Sequence, residues 1–332
     1  MKMKIFLLVA VLAAIVFGGF LLRRPRTETT PSEDWRIVYQ DSLTHSIPFK
    51  LVKFFNKDEG IAVRGLTIQK TNDGGITWNE VYYDEKNAIY AGNFTNENEG
   101  WVVGTENLEL PLILRTGDKG ITWRKVDFDE KSLEVLRGKF KYFRDICFGN
   151  KGKAWIVGDG GIVKTETYGH KLTIVSLFQT KEELDSVSCS DSDDAWAVGY
   201  SNSVYHYQKH WVKNDLSEKY RFSKVKMFGT GVWLIGKDNS DNGILLTSQD
   251  GGRTWENKAP ESGKALNDLF LYDKTGWLIG TEGSIYYSVD GGSSWAISKS
   301  PTKLNLFHIL SLDRNSFWIS GDEAIILKNL QQ

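Results

Sequence analysis

One phrase recurs four times in this chain and constrains it more than anything else. TNDGGITW from Thr71, TGDKGITW from Thr116, SQDGGRTW from Ser248 and SVDGGSSW from Ser288 all share the frame Ser/Thr-x-Asp-x-Gly-x-x-Trp. A Gly after the Asp supplies a left-handed backbone at no steric cost, and the carboxylate can accept hydrogen bonds from its own turn, so each copy reads as a hairpin turn. A site of unique chemistry has no reason to be copied four times.

A second phrase alternates with the first. GWVVG, AWIVG, AWAVG, VWLIG, GWLIG and FWISG end at Gly104, Gly158, Gly199, Gly236, Gly280 and Gly321, and GIAVRG at Gly60 to Gly65 is a weaker copy without the Trp. Their second residues, Ile61, Trp101, Trp155, Trp196, Trp233, Trp277 and Trp318, are spaced by 40, 54, 41, 37, 44 and 41 residues. Seven units of about 42 residues fit four-stranded propeller blades. The unit from Leu266 shows the pattern: LNDLFLYD alternates, TGWLIG is apolar and ends in Gly, SIYYSV is β-branched and aromatic, and SSWAIS follows the turn. The expected fold is therefore all-β, a seven-bladed β-propeller of four-stranded blades.

The twelve tryptophans sort without remainder into this scheme. Six occupy the second-strand phrase, and Trp35, Trp78, Trp123, Trp211, Trp255 and Trp295 open outer strands. Large aromatics at such positions bury area between neighbouring sheets, so none is left over to stack on a ligand. The last unit ends after a third strand, AIILKNL, and DWRIV at Asp34 to Val38 has the outer-strand Trp but no strands before it. The N-terminal strand is thus expected to complete the last blade and remove its exposed edge.

On these motifs the chain resembles the Asp-box (bacterial neuraminidase repeat) propellers. The seven-fold count with GW-x-x-G second strands resembles the photosystem II stability and assembly factor-like family more than the sialidases. That resemblance covers about nine tenths of the chain. It implies a propeller outside the cytoplasm that serves as a non-catalytic binding platform for a membrane protein or membrane-complex subunit, with basic residues in the contact. It implies no cofactor and no bound metal. Asp73, Trp78, Asp118, Trp123, Asp250, Trp255, Asp290 and Trp295 are then structural residues of the repeat, and no residue is assigned a catalytic role.

A formal net charge of −1, with 25% charged residues and only six prolines, carries neither a nucleic-acid footprint nor a disordered composition. Cys147 and Cys189 fall on inner strands of adjacent blades but differ by one position relative to Trp155 and Trp196. Opposite facing, and two buried thiols rather than a disulfide, is the expectation. Residues 1–33 read as a signal anchor and polar tether: Lys2 and Lys4 precede eighteen uncharged, mostly apolar residues from Ile5 to Leu22, just long enough to span a bilayer. Arg23, Arg24 and Arg26 offset those lysines, so charge gives no orientation. Residues 34–332 form the propeller, expected to be a monomer.

VGDGGIVKT from Val157 lacks the Gly-Lys-Ser/Thr and the helix of a phosphate loop. His206 and His210 in VYHYQKHW lack further metal ligands nearby in sequence. The competing function is a sialidase-like or other glycoside hydrolase, or a glycan-binding propeller. It would need several arginines on one rim, and only Arg64, Arg144, Arg221 and Arg137 could meet.

The rim formed by second-to-third-strand turns and inter-blade connections is where propeller ligands usually sit, and its turns carry Arg64, Glu282 and a mostly acidic remainder. Arg144 and Arg221 flank phenylalanines that open inner strands and could point to the central opening. The period breaks once, in the 54-residue gap, where DFDEKSLEVLRGKFKYFRD runs from Asp127 to Asp145 and suggests a helical turn. The candidate partner surface is therefore Arg64, Leu136, Arg137, Phe140, Tyr142, Arg144, Arg221 and Glu282.

Overall fold

The computed structural model describes residues 34–41, 47–149, 153–168, 171–190, 194–313 and 315–329. The apolar stretch from Ile5 to Leu22 and its tether lie outside the described residues, as does Arg314. Among the described residues no helix is long and apolar enough to cross a membrane.

The described residues form seven sheets, each built on antiparallel strands that run outward in chain order from an innermost strand. The inner strands are β2 (Leu51–Phe54), β6 (Asn87–Phe94), β11 (Phe143–Phe148), β15 (Leu184–Cys189), β19 (Arg221–Phe228), β23 (Leu266–Tyr272) and β27 (Leu306–Asp313). Each pairs outward with the apolar strand that carries the second phrase, for instance β7 (Gly100–Glu106) or β16 (Ala195–Gly199). In the last sheet β1 (Trp35–Tyr39) lies outermost and antiparallel to β29 (Ile326–Asn329), with Trp35 opposite Asn329.

The hydrophobic cores lie between sheets rather than within them. Trp155, Val157 and Ile162 of one blade pack with Leu184, Val187, Ala197 and Trp211 of the next, and six further clusters repeat this arrangement around the ring. Edge-on tryptophan pairs mark the seams. Trp155 meets Trp211 at 5.2 Å, Trp196 meets Trp255 at 5.6 Å and Trp277 meets Trp35 at 5.1 Å between ring centroids. Trp318 instead stacks on Phe54 of the first blade at 4.2 Å and donates its Nε1–H to the Gly74 carbonyl.

The recurrent turn is held by its own side chains. Asp73 Oδ1 accepts from the amides of Ile76 and Thr77 and from Thr71 Oγ1, while Oδ2 accepts from Thr77 Oγ1 at 2.6 Å. Trp78 Nε1 donates to the Gly75 carbonyl at 3.1 Å, and Trp123 does the same to Gly120. These bonds hold the Asp73, Asp250 and Asp290 carboxyls down at about 2. All of the carboxylate's contacts are internal to the turn.

The Gly that ends each second-strand phrase has a cause the sequence did not show. A Cβ at Gly104, Gly158, Gly199, Gly236, Gly280 or Gly321 would overlap a backbone carbonyl oxygen of the segment entering the inner strand. None of these glycines has a positive φ, so close backbone approach is what requires them. Blade 1 carries Arg64 at the equivalent position, and its Nη1 reaches Asp41 Oδ2 at 2.7 Å, tying the segment after β1 to that blade.

The disulfide expectation is corrected by the structure. Cys147 and Cys189 are bonded, with their Cα atoms 5.9 Å apart. Their offset is real, since Cys147 pairs with Trp155 but Cys189 pairs with Ala195. Alternation fixes facing only within one sheet, however. β11 and β15 belong to different sheets that splay around the axis, so the offset residues meet in the channel wall.

Candidate functional site

Each inner strand has a fully buried apolar anchor at or within two residues of its start: Phe49, Ile89, Phe143, Leu184, Phe222, Leu266 and Leu306. The residues that follow these anchors are Lys50, Tyr90, Arg144, Asp185, Ser223, Asn267 and Phe307, and all seven line one cavity of about 280 Å³ at a mouth of the central channel. Tyr200, from the turn after β16, completes its wall. Seven blades place seven unlike side chains in one ring, so the mouth is the part of the molecule that the repeat does not make uniform.

Arg144 and Asp185 face each other across neighbouring blades. The Arg144 guanidinium lies 3.5 Å from Asp185 and 3.4 Å from Glu183, and it sits over the Tyr142 ring at 4.9 Å from the centroid. Tyr142 donates its hydroxyl to Glu183 Oε1 at 3.0 Å. Burial pushes the Asp185 carboxyl up to about 6; Arg144 opposes the shift and Glu183 adds to it. Desolvation with the Arg144 charge nearby lowers Lys50.

One step deeper lies a ring of buried charge. Asp145 Oδ2 accepts from Ser186 Oγ at 2.8 Å and from the Val187 amide at 3.2 Å, and Lys224 stands 3.5 Å away. Asp268 repeats the arrangement, accepting from the Ile309 amide and pairing with Lys226 at 3.0 Å. These carboxylates bond inner-strand amides of the next blade, which no ladder satisfies, and so stitch blades together. Burial would lower Lys224, but Asp145 and Asp268 hold it above its ordinary value; burial together with Lys224 drives His308 down to about 3.

The break in the period delivers part of the mouth. Its first half forms β10 (Asp127–Phe128), which runs parallel to β14 (Lys171–Gln179) as a fifth strand of the third blade. The expected helical turn is α1 (Glu130–Leu136), capped by Asp129, which accepts the Ser132 amide at 2.8 Å. Asp159 then accepts the Lys141 amide at 3.0 Å and fixes the return into Tyr142 and Arg144.

Of the eight candidate partner residues, Tyr142 and Arg144 come together at the mouth. Leu136 and Phe140 are corrected: each is 1% exposed in the core between the second and third blades, because the insertion needs apolar anchors of its own. Arg137 caps the exposed end of α1. Arg221 precedes its anchor Phe222 where Arg144 follows Phe143, so it lines a separate depression with Lys219 and Tyr220. Glu282 pairs with Lys264 at 3.2 Å, and Arg64 is bound to Asp41. The four arginines that could have met in a sialidase-like site therefore do not converge. His206 Nε2 bonds Asp194 at 2.7 Å and the ring stacks on Trp196, while His210 lies beyond in the hairpin tip.

Sequence reading missed Lys50, Tyr90, Asp185, Asn267, Phe307 and the ring below them. A seven-way alignment of the inner strands on their apolar anchors would have exposed the position that follows each anchor.

Sheets, seams and turns together define an Asp-box seven-bladed β-propeller, and the chain resembles the photosystem II stability and assembly factors. A profile of the family described as Photosynthesis system II assembly factor YCF48 matches residues 27–134. The Photosystem II assembly lipoprotein Ycf48 of Picosynechococcus sp. is 24% identical over 127 residues, 36% of this chain and 37% of that protein. The chloroplastic Photosystem II stability/assembly factor HCF136 of Arabidopsis thaliana is 31% identical over 80 residues, 23% of this chain and 19% of that one. The chain thus matches well under half the length of these curated relatives.

Solved structures agree over the full fold. YCF48 bound to D1 peptide superposes with a TM-score of 0.71 at 22% identity, covering 91% of this chain and 99% of that one. YCF48 from Cyanidioschyzon merolae gives 0.68 at 22% identity, covering 89% and 98%. The Pan2 WD40 domain of Neurospora crassa still reaches 0.65 at 8% identity, covering 91% and 98%, so these likenesses speak to architecture alone.

Proposed function

We propose that this protein is a membrane-anchored, extracytoplasmic scaffold without catalytic activity, which grips an exposed segment of a membrane protein while its complex is assembled or stabilised. The observation that carries this reading is the channel mouth. There Lys50, Arg144, Tyr90 and Phe307 offer two cations and two aromatic faces to a chain end or loop, in a cavity open to solvent. The similarity to photosystem II assembly factors, one of them solved with a D1 peptide, supports a polypeptide client.

The remaining parts of the proposal rest on separate features. The apolar stretch from Ile5 to Leu22 serves as the anchor. The Cys147–Cys189 bond suits an oxidising compartment outside the cytoplasm. The pairing of β1 with β29 supports closure of the ring by the N-terminal strand, and hence a monomer.

The test places a photo-crosslinking residue at Tyr200, on the mouth's wall, in the full-length protein in its native membranes. Adducts to a defined segment of an integral-membrane subunit, lost when Arg144→Ala is added, are expected. Adducts that are unchanged by Arg144→Ala, or confined to soluble proteins, would refute the reading.

A further inference from the structure

Arg144 is the mouth's most committed cation, and its commitment rests on groups that differ in how they hold it. Glu183 is exposed, with its side chain 52% accessible, whereas the Asp185 side chain is 12% accessible. Neither Asp185 Oδ2 nor Arg144 Nε has a hydrogen-bond partner among the described residues, although both atoms are buried. Two groups 3.5 Å apart whose Oδ2 and Nε atoms do not bond each other form a pair held by charge rather than by a bidentate hydrogen-bond geometry.

We infer that Arg144 is latched: Asp185 and Glu183 draw it against the channel wall, and proton uptake by Asp185 releases it to an anionic group of the client. The inference rests on the mouth being the client site and adds how that site is regulated. Everything charged that faces Asp185 bears on the step. Arg144 and Asp145 face it from β11, Glu183 from the connection before β15 and Lys224 from β19, and the Tyr200 amide bonds its carboxylate. Desolvation and the two neighbouring carboxylates favour the neutral acid, Arg144 and the Tyr200 amide oppose them, and the balance places the change at about 6. Once Asp185 is neutral the buried ion pair is gone, and only the solvent-screened Glu183 and the Tyr142 ring still attract Arg144.

The strands themselves cannot take up the change by separating. Cys147 lies on the strand of Arg144 and Cys189 on that of Asp185, and their bond fixes β11 against β15 three to four residues below the pair. The response is therefore confined to side chains at the mouth, where the cavity gives Arg144 room to turn. A mildly acidic compartment would then load the client and a neutral one would release it.

Full-length protein labelled at arginine and aspartate, in detergent, allows the Arg144 guanidinium and the Asp185 carboxyl to be followed by NMR from pH 7.5 to 5, with a blocked (Glu-Ala)5 peptide as the anionic probe. Both signals should move with one midpoint near 6, and Asp185→Asn should hold Arg144 in its low-pH state throughout. Peptide affinity should rise roughly tenfold on acidification in the wild type and be high and flat in Asp185→Asn. An Arg144 signal that ignores pH, or an Asp185→Asn variant that keeps the wild-type pH response, would overturn the latch. A signal that moves as expected with no peptide bound by either protein at any pH would overturn instead the reading of the mouth as the client site.

Discussion

The carbonyl oxygen of Ala88 occupies the space that a Cβ on Gly104 would need. The segment entering the inner strand presses onto the end of the second strand, and the same overlap recurs in five other blades. Substituting Ala for Gly104 must displace backbone rather than a flexible side chain. Gly104→Ala should cost about 2 to 4 kcal/mol in chemical denaturation. A loss below about 0.5 kcal/mol would show that the connection yields freely.

Asp73 spends its whole hydrogen-bonding capacity inside its turn. Asp73→Ala should destabilise the protein by about 1 to 2 kcal/mol through the charge-assisted hydrogen bonds its turn loses, with client recovery per folded molecule unchanged. Because its carboxyl is held at about 2 in the fold, below the ordinary 3.8, this contribution is present above pH 3.8 and lost as pH falls through 2. A variant of full stability that fails to bind its client would make the turn a binding element instead.

Asp185 has the opposite sign. Its folded carboxyl is raised from 3.8 to about 6, so the native state holds a proton that the unfolded chain gives up. Stability from this group is fully present below pH 3.8 and is lost as pH rises through 6, by at most about 3 kcal/mol. Urea melts at pH 4.5 and 7.5 should show Asp185→Asn gaining on the wild type at the higher pH. Parallel pH dependences for the two proteins would contradict this.

Trp35 lies edge-on to Trp277 and heads the strand that borders β29. Removing residues 34–38 should uncover that aromatic seam and leave a free strand edge, giving aggregates or strand-exchanged dimers on size-exclusion chromatography. Removing residues 1–32 should leave a folded monomer. The same elution profile for both truncations would remove β1 from the closure of the ring.

Leu136 is 1% exposed under the insertion. Leu136→Ala should therefore cost about 2 to 4 kcal/mol, and shortening the whole insertion should destabilise the third blade as well as disturb Tyr142 and Arg144. Thermal melts that match the wild type would show the insertion to be a passive loop.

The sequence by itself determined the all-β class, the seven units, the turn that closes four of the outer hairpins and the division of the tryptophans. All of these are written locally, in a period of about 42 residues and in turn chemistry that spans at most eight. Tertiary structure alone decided what seven blades bring together around one axis. Arg144 and Asp185 are 41 positions apart and carry no mutual signal, yet blade-to-blade packing sets them 3.5 Å from each other. Cys147 and Cys189 bond although strand alternation places them out of phase, because alternation says nothing about strands in different sheets. Leu136 and Phe140 read as surface residues of an insertion, and became core because an insertion in a ring of close-packed blades is held only by what it buries.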